Sequence, residues 1–345
     1  MNIQDSKSLQ ALLDHRPVIT IVPHTSPDGD AIGSTLGLYH FLKNQGHDVQ
    51  VIAPTDFPDF LKWIPAADQI LIYPNQESKA QQRIAASSLI FTLDFNNLLR
   101  AKPLTPLLEQ SGADFVMIDH HQQPDTYAKI TYSDDKASST CELIYKVITA
   151  LSSEQAINQE IATCLYTGIM TDTGGFRFSM TSPETHRIVA TLLEKGANCT
   201  EIASEVLDSY SIDRLLLLGH VLNDLTYLPQ HRTAYMYISS KTLKQFNFRK
   251  GDTEGFVNYG LRIKGAELAA IFIENEEDKL IKISFRSKTN LDVNLLARTY
   301  FNGGGHINAA GGSSHTSLED TVKYFLEVLP QFLSRPDAYH SNPIL

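Results

Sequence analysis

Over residues 18–118, short apolar runs of strand length alternate with stretches of helical periodicity, and this alternation is what most limits the fold. The strand candidates are residues 18–23, 49–53, 69–73, 89–93 and 115–118. Residues 31–45 place Leu36, Leu38, Phe41 and Leu42 on an apolar helix face, and Gly46 supplies a stop. Strands separated by helices pair in parallel, with helices covering both faces of the sheet, so the expected class is α/β. From residue 138 to about 220 the pattern turns helical, over 141–151, 157–170, 183–195 and 212–221. Pro183 suits the first turn of its helix, with Thr181 or Ser182 as the cap. Periodicity lapses over 223–232, around Pro229. Beyond it, residues 233–238, 268–274 and 279–285 read as strands, and 293–300 and 318–332 as helices. The expected organisation is an N-terminal parallel-sheet domain with a helical extension (1–222), a linker (223–232) and a smaller C-terminal α/β domain (233–345). A chain of 345 residues exceeds the size at which one core usually keeps growing.

A net charge of -10 argues against tight binding to long nucleic acid, which needs many Lys and Arg contacts to phosphate. Short phosphorylated ligands stay open, because bound divalent cations reverse the local charge of an acidic site. The polar N-terminus lacks the order of a signal peptide, and no apolar run is long enough to cross a bilayer. Cys141, Cys164 and Cys199 sit unpaired in apolar, helix-like stretches and read as buried free thiols. These features predict a cytoplasmic protein with no membrane partner, and a homodimer is the default expectation for such an enzyme.

The residues that carry chemistry cluster at segment ends. The first strand runs into His24, followed by Asp28, Gly29 and Asp30; the strand 89–93 ends at Asp94; the strand 115–118 ends at Asp119, His120 and His121; the helix 157–170 runs into Asp172. Taken singly, Asp28-Gly29 is turn chemistry, Asp30 suits the N-cap of the next helix, and His24 suits a core histidine. Parallel sheets bind ligands beyond the carboxyl ends of their strands, however, so three of these segments deliver polar residues to one edge. Carboxylates brought together repel unless cations compensate them, so the set implies metal. Mixed carboxylate and imidazole ligation without a cysteine cluster favours Mn²⁺, with Mg²⁺, Co²⁺ and Fe²⁺ as alternatives. Six protein ligands are too many for one catalytic ion with open positions. Two divalent ions sharing a carboxylate, typically about 3.5–4 Å apart, fit better and suit phosphoryl chemistry.

In order, His24-x-x-x-Asp28-x-Asp30, Asp94, Asp119-His120-His121 and Asp172 resemble the four motifs of the DHH phosphoesterase superfamily. Asn302-Gly303-Gly304-Gly305-His306, followed by Ala309-Ala310-Gly311-Gly312, resembles the GGGH motif of the associated DHHA1 domain, and Arg286-Ser287 its substrate-facing pair. Within the superfamily the chain looks most like the nano-RNases, which degrade very short oligonucleotides and often dephosphorylate 3'-phosphoadenosine 5'-phosphate. The stretch Thr171-Asp172-Thr173-Gly174 and Gly255-Phe256-Val257-Asn258 add to that likeness. The resemblance implies that His24 and Asp28 bind one metal, that Asp30, His120 and Asp172 bind the other, and that Asp94 bridges them. Asp119 is expected to hold the His120 ring, and His121 to touch the scissile phosphate or serve the leaving group as an acid. Arg286, Ser287 and His306 are expected to hold substrate, with Gly303, Gly304 and Gly305 offering successive backbone amides to an anion. Arg177, His186, Arg262 and Lys264 are further basic candidates, for which a solvated surface role is preferred.

Overall fold

The apolar runs of the first third become strands of one parallel sheet. The computed structural model describes residues 3–288 and 290–339. Helix α1 (Ile3–Asp14) precedes β1 (Val18–Val22), α2 (Gly29–Asn44), β2 (Asp48–Ala53), β3 (Leu71–Ile72), α3 (Glu77–Ala86), β4 (Leu89–Leu93), α4 (Thr105–Glu109), β5 (Asp114–Asp119) and β6 (Ile130–Ser133). Four helices follow: α5 (Thr140–Leu151), α6 (Gln159–Asp172), α7 (Pro183–Glu194) and α8 (Cys199–Leu207). The six strands are ordered β3-β2-β1-β4-β5-β6, and every pair is parallel. The order reverses between β1 and β4, which opens a crevice at their carboxyl ends. Both are buried along nearly their whole length, as a strand covered on two faces must be. Residues of α2, α5 and α6 pack with Ile19 and Ile21 on one face, and Ala80, Ile84, Leu104 and Leu108 pack with Val22 and Ile90 on the other.

Local chemistry sets the helix boundaries. Gly46 follows α2 with φ +78°, a conformation that glycine adopts without strain, and so ends the helix as expected. Ser182 caps α7 in a reciprocal capping box with Thr185, and Pro183 occupies its first turn. Three expectations change. The strand expected over 69–73 shrinks to Leu71–Ile72 between two 3₁₀ turns, because it is an edge strand that only β2 pairs. Strand β6 is unmarked in the sequence: of its four residues only Ile130 is buried. Cys141 and Cys164 are buried, but Cys199 is exposed at the start of α8, beside the cap residue Asn198.

Glu142, in the first turn of α5, is a buried carboxylate with four bonds. It accepts from Ser138 N (3.3 Å), Ser138 Oγ (2.6 Å), Thr185 Oγ1 (2.8 Å) and Lys146 Nζ (2.8 Å), and so ties the starts of α5 and α7 together. Burial would raise this carboxyl, but the bonds from Lys146, Ser138 and Thr185 outweigh it and hold it below the usual range. A group with a lowered folded pKa adds stability above its unfolded value, near 4.5, and loses it as pH falls through the folded value. Glu142→Ala is expected to cost about 2–4 kcal/mol in denaturant unfolding at pH 7, since it strands two hydroxyls and an amide. Glu142→Gln should cost less and flatten the acid limb of the stability curve. An unchanged acid limb in that variant would show that the carboxylate contributes nothing there.

The second compact unit begins at Tyr210, where the first ends at Ser209. It contains α9 (Ile212–Asn223), β7 (Thr226–Leu228), β8 (Thr233–Ile238), α10 (Ser240–Gln245), α11 (Val257–Gly260), β9 (Leu268–Asn275), β10 (Leu280–Ser287), α12 (Val293–Tyr300), β11 (Gly304–His306), β12 (Ala309–Ser314) and α13 (Leu318–Leu333). Its sheet runs β11-β12-β10-β9-β8-β7, antiparallel except for the parallel pair β8–β9. One face packs on α12 and α13 through Phe272, Phe285, Phe301 and Phe325. Helix α9, which the periodicity assigns to the first domain, belongs here: Leu217, Leu218 and Val221 pack with Met236, Ile238 and Phe256. The stretch expected as a linker, 223–232, is largely structured. Strand β7 pairs with β8, and Pro229 lies in the 3₁₀ turn between them.

Candidate metal centre

The fold brings the strand-end residues of the first unit together at the reversal point. His24 follows β1, Asp94 follows β4, and Asp119, His120 and His121 close β5. Helix α2 supplies Asp28 and Asp30, and α6 supplies its last residue, Asp172. Ligand atoms of His24, Asp28 and Asp94 lie within 4.8 Å of one another, and so do those of Asp30, His120 and Asp172. Asp94 stands between the two groups. Its Oδ2 is 3.4 Å from His24 Nε2 and its Oδ1 is 3.5 Å from His120 Nε2. The remaining separations are 3.8 Å from His24 Nε2 to Asp28 Oδ2, 3.8 Å from His120 Nε2 to Asp30 Oδ2 and 3.2 Å from His120 Nε2 to Asp172 Oδ2.

Most of these gaps are too long for hydrogen bonds, yet the atoms converge. Ligands about 2.1 Å from a small octahedral cation lie roughly 3–4 Å from one another, so the spacing is that of a coordination shell. The imidazoles are presented accordingly. His24 Nδ1 bonds the Thr25 carbonyl at 2.9 Å and His120 Nδ1 bonds the Ala137 carbonyl at 3.3 Å, which turns Nε2 of each ring toward the acids. Electrostatics point the same way. Burial opposes a charge on His24, but Asp28 and Asp94 outweigh it and raise the ring to about 10. Burial and the Asp30 charge push Asp94 well above the carboxylate range, and Asp94 and Asp30 also draw His120 upward against its burial. Without a cation the cluster collects protons, and a divalent ion fits where they gather. Asp172 adds a further sign, since an acid at the last residue of a helix opposes the helix dipole unless a cation compensates it.

Neighbouring structure fixes these groups. Asp28, not Asp30, is the N-cap of α2; its Oδ1 accepts from the amides of Asp30 and Ala31. Asp30 is fully buried in the first turn and serves a different helix, accepting from Thr140 N (2.7 Å) and Cys141 N (2.9 Å) at the start of α5. Asp94 has φ +66°, a left-handed backbone that an aspartate adopts more readily than most residues, and Thr140 Oγ1 donates to its Oδ1 at 2.9 Å. Thr140 goes unnoticed in the sequence. The run Ser138-Ser139-Thr140 reads as a helix start, but its partner carboxylate is 46 residues away.

One expected role changes. Asp119 Oδ1 lies 2.7 Å from His121 Nδ1, so it is the His121 ring that Asp119 holds, while the Ala137 carbonyl serves His120. Burial lowers His121, the Asp119 carboxylate pulls it back up, and His120 and Arg100 push it down, leaving it below the ordinary histidine range. A neutral ring with Nδ1–H given to Asp119 offers Nε2 as an acceptor. Such a nitrogen takes a hydrogen bond from a water or hydroxyl, whereas a phosphate oxygen, itself an acceptor, is met only by a protonated ring.

In the second unit, Arg286 on β10 and His306 on β11 both pair in register with Ala309 on β12, so they share a face across a small floor residue. Ser287 does not join them. It is buried, its Oγ donates to Leu291 O at 2.6 Å, and it accepts from Asn308 Nδ2 at 2.9 Å, because neighbouring strand residues point to opposite faces. The glycine run does not form a row of open amides. Gly303 N donates to Ala297 O (3.1 Å) and Gly305 N to Asn294 Oδ1 (2.9 Å). These glycines permit close strand approach instead: a Cβ on Gly303 would lie 1.9 Å from Gly311 O, and one on Gly305 2.5 Å from Ala309 O. A Cβ on Gly304 would meet only ordinary contacts. Of the other basic candidates, Arg177 turns its Nε back to Gly174 O and Arg262 lies over the Tyr259 ring.

A parallel-sheet unit with two His/Asp clusters joined by one carboxylate, followed by a mixed-sheet unit, defines a two-domain metal-dependent phosphoesterase. The chain belongs to the DHH/DHHA1 phosphoesterase superfamily: residues 18–169 match the DHH family N-terminal domain and residues 232–335 the DHHA1 domain. It is 40% identical to an exopolyphosphatase-related protein from Bacteroides fragilis, whose crystal structure superposes with a TM-score of 0.89 over 95% of this chain and 96% of that one. It is 29% identical to the bifunctional oligoribonuclease and PAP phosphatase NrnA of Thermus thermophilus, over 92% of this chain and 90% of that protein. The protein of the same name from Bacillus subtilis is 28% identical, over 89% of this chain and 92% of that protein. Among the described residues, no helix is long and apolar enough to cross a membrane.

Proposed function

We propose that this protein hydrolyses very short oligonucleotides and linear dinucleotides such as pApA to mononucleotides, and 3'-phosphoadenosine 5'-phosphate to AMP. The observation that carries the hydrolytic part is Asp94, which turns one carboxylate oxygen to each of two His/Asp clusters. In this reading His24, Asp28 and Asp94 hold one divalent ion, and Asp30, His120, Asp172 and Asp94 hold a second, with Mn²⁺ the preferred metal. When bound, such ions supply Lewis acidity and an activated water to phosphoester hydrolysis. His121, its ring held through Nδ1 by Asp119, touches the scissile phosphate or serves the leaving group as an acid. Arg286 and His306, on one face of the second sheet, grip a substrate phosphate or base. The nucleotide choice is supported by the two relatives named as oligoribonuclease and PAP phosphatase, each matched over about nine-tenths of its length.

The Bacteroides protein favours a second reading, an exopolyphosphatase, so the decisive assay offers both substrate types. Purified protein with Mn²⁺ receives 5'-labelled pApA, 3'-phosphoadenosine 5'-phosphate, polyphosphate, pyrophosphate and a cyclic dinucleotide in parallel. The expected products are mononucleotide from the first and inorganic phosphate from the second, both lost on chelation and restored by Mn²⁺. Turnover of polyphosphate or pyrophosphate alone would overturn the nucleotide reading. Cleavage of the cyclic compound alone would place the chain with cyclic-dinucleotide phosphodiesterases.

A further inference from the structure

The segment joining Asp94 to α4 is fastened on both sides to the loops that carry the histidines. On one side Thr25 N donates to Arg100 O at 2.7 Å, Thr25 Oγ1 donates to Lys102 O, and the Thr25 carbonyl in turn holds the His24 ring. On the other, Asn96 Nδ2 donates to Gln122 O at 2.7 Å and Asp125 N donates to Asn96 O at 2.9 Å, just beyond His120 and His121. The 3₁₀ turn Leu98–Ala101 on this segment is therefore held beside the metal centre, and Arg100 is exposed on it.

Arg100 is an exposed cation on this segment and pairs with none of the aspartates of the centre. Among the described residues its guanidinium makes no hydrogen bond and no ion pair. A cation that bonds no carboxylate, on a segment whose backbone is bonded to both histidine loops, is placed for an anion that arrives with the substrate. The guanidinium offers parallel N–H donors that match phosphate oxygens.

We propose that Arg100 donates hydrogen bonds to a non-bridging oxygen of the phosphate being hydrolysed, so that recognition of this phosphate is built into the first unit and does not depend on Arg286 and His306 alone. This rests on the phosphoesterase reading above and adds a substrate-contacting residue to it. Because the segment is anchored through the Arg100 carbonyl, changing the side chain leaves the anchor in place.

The test compares wild type, Arg100→Gln and Arg100→Lys, each loaded with Mn²⁺. One substrate is pApA; the other is bis(p-nitrophenyl) phosphate, which carries only the phosphate to be cleaved. Arg100→Gln is expected to lower kcat/KM for both by about 10- to 100-fold, the effect of one charge-assisted contact, with Arg100→Lys intermediate. Mn²⁺ affinity and Tm should stay at wild-type values, which a merely structural role would not allow. Inorganic phosphate supplies a readout that needs no turnover. It should raise the Tm of the Mn²⁺-loaded wild type, and about tenfold more phosphate should be needed for the same rise in Arg100→Gln. Loss confined to pApA would overturn the assignment to the scissile phosphate, and unchanged kcat/KM with unchanged phosphate binding would overturn the proposal outright. If wild type cleaved neither ester, the phosphoesterase reading would fail on its own, while phosphate binding would still decide Arg100.

Discussion

Asparagine in place of Asp94 is expected to lower turnover by ~10³-fold or more while leaving the metal-free protein at least as stable as wild type. The two halves of this result have one cause. Asp94 is buried beside Asp30, where an ionised carboxylate is disfavoured, so neutralising it relieves repulsion in the metal-free state. The same substitution removes the oxygen that faces His24 or the one that faces His120 as an anionic ligand. Metal binding should then contribute far less to stability. A ligand at 100 times its Kd stabilises by about 2.7 kcal/mol, and the Mn²⁺-dependent rise in Tm should largely disappear in the variant. A full metal-dependent rise together with retained turnover would rule out Asp94 as the shared ligand.

The second large effect is expected away from the ligands, at Gly168. Helices α2 and α6 meet through glycines. A Cβ on Gly29 would lie 2.4 Å from Thr171 Oγ1, one on Gly33 2.5 Å from Cys164 O, and one on Gly37 2.6 Å from Leu165 Cδ2. Facing them, a Cβ on Gly168 would lie 2.2 Å from Cys141 Sγ and 2.9 Å from Asp30 Oδ1. Gly168→Ala therefore forces α6 away from α2 and α5, and overpacking of this kind costs about 1–3 kcal/mol or more. Because Asp30 rides on α2 and Asp172 ends α6, the displacement should also weaken Mn²⁺ binding. Combining it with Cys141→Ala, which removes the sulfur, should recover part of the lost stability, and a double-mutant cycle measures that coupling. Strictly additive effects would show that the contact is not what constrains the helices.

The parallel sheet and the metal-binding edge were legible because each was written as a local pattern. An apolar run buried on both faces declares a strand, and an acid or histidine at its end lies where parallel sheets bind ligands. Asp94 and His120 were readable for that reason, as was Asp172 at the end of its helix. The second unit was harder. The glycine run before His306 carries the same letters whether its amides are open to an anion or spent on Ala297 and Asn294. Ser287 beside Arg286 looked like a pair, yet strand alternation sends its hydroxyl into the protein. Helix α9 carries an apolar face that fits either neighbour, and only packing assigns it to the second core.

The six residues of the proposed metal centre, with their His and Asp chemistry, followed from the sequence by itself, since strand ends and donor types are one-dimensional information. Their division into two clusters around Asp94 is already implied by the motif resemblance, and tertiary structure decided how Asp94 is presented to them. Which oxygen of Asp94 faces which histidine depends on a left-handed backbone and on Thr140, 46 residues away. So did the approach of α2 to α6, because a glycine inside a helix shows its purpose only when the facing helix is in place. Arg100 belongs to the same class: in the sequence it is one arginine among many, and the bonds from Thr25 and Asn96 are what bring its segment to the metal centre.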